Sequence, residues 1–174
     1  PKVVIYGITT GVTGNNHYDA IMLANVGDGM AQLEGMKLVY RLKEGSERIK
    51  LAEWNTPTTI GPRSFYLLVK SEQEFGIVPD YIFDQPIAGS KGGLKLYDAE
   101  NNVVDALGWG EDAPEGFFEG IPSEPIAKDQ ILIRTEADTD DNTTDFSLET
   151  EITLFNSGDS NPIFPDPGID VAVT

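Results

Sequence analysis

The chain has 174 residues, no cysteine and one histidine, and it sets 12 lysines and arginines against 29 aspartates and glutamates for a net charge of −17. This length and a hydrophobic content of 40% suit a folded domain with a sizeable core and exclude disorder of the whole chain. The missing cysteines exclude disulfides, thiolate zinc sites and cysteine nucleophiles, and the acidic balance argues against nucleic acid and anionic lipid as partners.

The predicted elements are short strands separated by Gly, Pro, Asn and Asp. Val3-Val4-Ile5-Tyr6 opens the series, followed by a turn-rich loop from Thr9 to Asn16 and a run from Ala20 to Asn25 that ends at Gly27-Asp28-Gly29. Met36 to Leu42 alternates apolar and polar at several positions. Glu44 to Pro62 reads as a loop holding a hairpin over Arg48 to Trp54. Ser64 to Val69 is an apolar run fit for a buried strand, and Ser71 is placed to cap one helical turn reaching Phe75. Gly92 to Leu107 reads as a hairpin, with Asp98, Glu100, Asn101 and Asn102 turning between two apolar, β-branched runs. Gly108 to Pro125 is a loop rich in Gly, Pro and acid. Gln130 to Arg134 and Glu151 to Phe155 complete the strands. Phe155 to Gly168 carries prolines that a sheet cannot pair fully, and Ile169 to Val173 reads as an added edge strand or the lead into another domain. No helical stripe of 11 or more residues runs free of Gly and Pro, and no apolar run reaches the roughly 20 residues that span a bilayer, so no direct membrane insertion is expected. Period-2 patterning with regular turns gives an all-β class, a sandwich or barrel, with long loop insertions. The start at Pro1-Lys2-Val3, without Met, is what a mature or excised fragment shows.

Several segments in order resemble the lamin-tail domain, an immunoglobulin-like module. They are Val3-Val4-Ile5; Tyr18 to Asp28, with its closing Asn and Gly/Asp turn; Leu33-Glu34-Gly35-Met36-Lys37-Leu38, with Met36 where Trp is usual; Gly61-Pro62 entering Arg63 to Val69; the Gly92–Asp105 hairpin; and Ile133-Arg134 followed by Asp138 to Phe146. The resemblance covers residues 1–148 and leaves 149–174 as a C-terminal extension. Where the family carries an acidic-Trp pair, this chain has Asp19-Ala20, and insertions fall near 44–60, 75–90 and 111–128. The resemblance implies an immunoglobulin-like sandwich without catalysis of its own. It implies a secreted or cell-surface structural or adhesive module that contacts protein partners or itself, or else an accessory domain of a secreted hydrolase such as a nuclease or phosphatase.

Asp138, Asp140, Asp141, Asn142 and Asp145 are the candidate metal ligands, since calcium takes six to eight oxygens and a flexible acidic loop offers several. The spacing is not that of an EF-hand, and Asp and Asn also bond their own backbone in Asx-turns. The family pattern places them in a tight turn before Phe146, so the structural reading is preferred and no cofactor is expected. His17 lacks a nucleophile and further metal ligands and reads as exposed and inert. Gly89-Ser90-Lys91-Gly92-Gly93 lacks the order of a phosphate loop, and its glycines read as positive-φ positions entering the hairpin. Trp54, Trp109 and Phe117-Phe118 read as packing beneath loops, with an aromatic anchor for a protein or glycan as the functional alternative.

Overall fold

The computed structural model describes residues 2–160; the strand expected over Ile169 to Val173 lies outside the described residues. The chain forms an all-β sandwich. One sheet has six strands in the order β12 (Phe146–Glu149), β11 (Ile131–Arg134), β1 (Val3–Val12), β2 (Asn15–Asn25), β7 (Phe65–Lys70) and β8 (Tyr81–Phe83). The other has four, in the order β10 (Val103–Trp109), β9 (Gly92–Tyr97), β4 (Lys37–Arg41) and β5 (Arg48–Glu53), and a small ladder joins β3 (Ala31–Gln32) to β6 (Thr59–Ile60). Pairing is antiparallel except between β7 and β8.

The main core lies between the sheets. Ile5, Ile8, Ile21, Leu23 and Leu68 meet Leu38, Tyr40, Leu94, Leu96, Leu107 and Trp109 there. A second cluster lies on the other face of the six-stranded sheet, where Val4, Tyr6, Met22, Phe65 and Leu67 are covered by Phe75, Ile77, Ile152, Leu154 and Phe155. The sheet is therefore buried on both sides, which explains why β1, β2 and β7 are continuous apolar runs instead of strict alternations. The ring of Phe155 stacks on Phe65 at 4.7 Å, so part of the C-terminal extension serves as a cover for this sheet.

Four local expectations need correction. Thr9 to Asn16 is not a long loop: β1 and β2 continue through it and turn at Thr13-Gly14, with Gly14 at φ +87°. Arg48 to Trp54 is not a hairpin, because β5 is one strand paired to β4. Ser71 caps no helix; its N–H bonds the Phe83 carbonyl, and the 71–75 segment turns into the crossover to β8. Glu151 to Phe155 is not a strand: β12 lies earlier, and the apolar residues of 151–155 are used to cover a sheet face.

The Gly92–Leu107 hairpin forms as read. Asp98 accepts the N–H groups of Glu100 and Asn102 and the Asn102 side-chain amide, an Asx-type closure of the turn, with Asn101 at φ +63°. Gly92 is at φ +154°, whereas Gly93 is needed for space: a Cβ there would stand 2.5 Å from the Phe117 Cβ.

Candidate functional site

The most distinctive chemistry is a buried ionic network where the edge strand β10 meets β1 and β11. The β1–β2 register shifts between Ile5 and Gly7, and the β1–β11 ladder includes Gly7 but not Ile5. Such a bulge leaves backbone groups without ladder partners. Both polar groups of Ile5 are met by side chains. Its N–H donates to Asp105 Oδ2 at 2.7 Å, and its carbonyl accepts from Arg134 Nε at 2.9 Å. Arg134 Nη2 then donates to the same Asp105 oxygen at 2.7 Å, and both side chains are fully buried. Asp105 belongs to one sheet, Ile5 and Arg134 to the other, so the pair ties the two sheets together while closing the bulge.

The acidic loop completes this network. Arg134 Nη1 faces Asp145 at 3.6 Å and Asp138 at 3.9 Å, and its guanidinium stacks over Phe146 at 4.4 Å. Asp145 accepts from the N–H and hydroxyl of Thr139; Asp138 accepts the Asp140 N–H and pairs with Lys2. Asp141 caps a single helical turn, α1 (Asn142–Asp145), by accepting the Thr143 N–H and hydroxyl. Asn142 is fully buried. Its amide donates to the Ala106 carbonyl and accepts from the Gly108 and Glu119 N–H groups, standing in for a neighbouring strand at the edge of β10. Asp140 sits at φ +59° as the turn residue between them. Of the five candidate ligands, the structure thus gathers Asp138 and Asp145 around Arg134 and directs Asp141 and Asn142 to backbone groups.

Glu119 and Asp105 were not among those candidates. Asp105, Glu119 and Asp138 bring carboxylate oxygens within 4.8 Å of one another, the set among the described residues with spacing to share a cation. Asp105 already accepts from Ile5, Ala106 and Arg134, and a buried oxygen remains open on Glu119. The guanidinium of Arg134 is the resident cation of the group. Burial pushes the Asp105 carboxyl up to about 6 against the pull of Arg134 and the Ile5 N–H. Glu119 is pushed up to about 8, first by burial and then by the charges of Asp105, Asp138 and Asp140. Burial and the neighbouring carboxylates thus favour the protonated form of Glu119, and a protonated carboxyl can donate to a neighbouring carboxylate. The sequence marked Arg134 only as part of a motif. It gave no sign of Glu119, whose position depends on how the 110–125 loop folds across β9 and β10.

A second buried carboxyl, Asp19, accepts the Ile87 N–H at 3.0 Å and is raised by burial to about 6. His17 is exposed. Trp54, Trp109 and Phe117 are buried, with the Trp54 indole donating to the Tyr66 hydroxyl and that of Trp109 to the Ala88 carbonyl, so none of the three offers a face to a partner. An open cleft of about 780 Å³ is lined by Lys91, Glu111, Asp112, Ile121 and Glu124 among others. No protein-family profile and no curated protein matches the chain.

Proposed function

We propose that this chain is a non-catalytic structural or adhesive module of an extracellular or cell-envelope protein, of the lamin-tail type. The observation that carries the reading is the commitment of the polar groups around Arg134, beside which the open oxygen of Glu119 is itself buried. Asp105, Arg134, Asp138, Asn142 and Asp145 are all bonded to backbone groups or to one another, with Asp105 joined to Ile5 and Arg134 across the two sheets. Catalytic acids and bases need a substrate atom within reach, and these groups face protein. The edges of the sheets are poor templates for strand addition: β8 and β12 are short, β5 is bulged and carries Arg48 and Lys50, and Asn142 occupies part of β10. The reading therefore puts the contact on a face of the sandwich.

The test is an assay of the purified chain against phosphomonoester, phosphodiester and glycoside substrates, with and without divalent metal, beside the Glu119→Gln and Asp138→Asn variants. No turnover by any of the three is expected. Turnover by the parent that both variants lose would overturn the reading.

A further inference from the structure

Five of the chain's 12 lysines and arginines share the outer face of the four-stranded sheet. The register fixes this. Leu38, Tyr40, Leu94 and Leu96 point into the core, so their neighbours Lys37, Val39 and Arg41 on β4 and Lys95 and Tyr97 on β9 point out. On β5, Arg48 stands opposite Arg41, Lys50 opposite Val39, and Glu53 opposite Lys37. The face thus carries Lys37, Arg48, Lys50 and Lys95, with the mostly covered Arg41 beneath them, against the two carboxylates Glu44 and Glu53, while the other seven cations share the rest of the chain with 27 acidic residues.

This charge is only partly neutralised from within. Lys50 pairs with Glu53, Arg41 reaches Glu44 at 3.4 Å, and Lys37 donates to Asn101. Arg48 and Lys95 have no carboxylate within 4.0 Å among the described residues; both lie over the Phe117 ring, at 5.7 and 5.2 Å from its centre. Like charges directly opposite on a sheet, as in the Arg41–Arg48 pair, cost stability. An anion laid on the face would offset that cost.

We propose that this sheet face binds an acidic polysaccharide, a sugar chain bearing sulfate or uronate groups. Charge complementarity calls for a polyanion, and size selects among polyanionic partners. Strand spacing and rise give the three charged strands an area of roughly 200 Å². A protein interface needs about 800 Å² from each partner. A second copy would have to spread well past the cationic strands onto acidic surface, and it would bring its own net charge of −17. A single sugar chain can lie along the strands within the patch. The proposal names a partner for the adhesive role argued above and rests on that reading.

The test is calorimetric titration of the full chain with a heparin-derived oligosaccharide and with oligogalacturonate, using neutral dextran and oligothymidylate as comparisons. Binding of at least one acidic oligosaccharide is expected, weakening about tenfold between about 50 and about 200 mM salt. Arg48→Glu/Lys95→Glu should lose at least about tenfold, as should the milder Arg48→Gln/Lys50→Gln, with circular dichroism confirming both fold, while Lys128→Glu, off this face, stays within about twofold. No binding of either oligosaccharide, equal binding by the face variants, or tighter binding of oligothymidylate would each refute the proposal. So would an oligomer on sizing that the Arg48→Glu/Lys95→Glu variant dissolves, which would make a second copy the partner. Cleavage of a bound oligosaccharide would sink the non-catalytic reading and leave the binding surface standing; loss of binding alone would do the reverse.

Discussion

Replacing the buried ion pair by apolar residues, as Asp105→Leu/Arg134→Met, separates two views of what the pair does. If it were only an ion pair, the double replacement would be neutral or stabilising by about 1–4 kcal/mol, because two charges return to water in the unfolded chain and apolar packing takes their place. Here the pair also serves Ile5. The double variant strands one N–H and one carbonyl at the β1 bulge, bonds that now measure 2.7 and 2.9 Å. Each buried group left unmet costs about 1–3 kcal/mol, so the two together cost about 2–6 kcal/mol, from which the apolar gain of about 1–4 kcal/mol is subtracted; the middle of the two ranges leaves a net loss of about 1.5 kcal/mol. For a chain of this size the melting temperature should fall by about 3–6 °C. Either single replacement leaves a buried charge as well and should cost about 3–5 kcal/mol. Urea denaturation of the parent, the two singles and the double gives all four values and the coupling between the sites. A double variant more stable than the parent by about 2 kcal/mol or more, the result for an ion pair that serves no backbone group, would refute the role assigned to the bulge.

The remaining expectations concern the same region. The folded pKa of Glu119 lies above its unfolded value, so the folded state binds the extra proton; its contribution is complete below about 4.5 and is lost as the pH rises through about 8. Glu119→Gln, which keeps the neutral form, should flatten the fall in stability between pH 6.5 and 8 measured by thermal melts, and an unchanged slope would reject the assignment. Asn142→Ala leaves the Ala106 carbonyl and the Gly108 and Glu119 N–H groups unmet and should cost about 3 kcal/mol or more in urea denaturation. Asn142→Asp should cost a similar amount, since a carboxylate cannot donate to Ala106; a tolerated Asp would contradict the pairing. Gly93→Ala drives a Cβ to 2.5 Å from Phe117 and should destabilise by about 1–3 kcal/mol while loosening the 110–125 loop, read as faster amide exchange there. Millimolar calcium should leave the melting temperature unchanged, because Asp138, Asp141, Asn142 and Asp145 are already bonded within the protein; a clear rise would make the loop a cation site.

The sequence by itself determined the strand-rich class, the Gly92–Leu107 hairpin and the turn chemistry around Asp98, because turns and period-2 patterns are set by residues close in the chain. It also marked the Asp138–Asp145 segment as unusual, since five Asp and Asn residues within eight positions need some partner for their oxygens. It misplaced the final strand and the 71–75 turn because apolar residues that cover a sheet face look, in sequence, like residues that form one. Only the tertiary structure decided that Asp105 and Arg134 close a bulge at Ile5, that Glu119 joins them, and that Arg41, Arg48 and Lys95 share one face. Those groupings depend on strand order and register, and a shift of one residue would turn each strand's side chains to the opposite face.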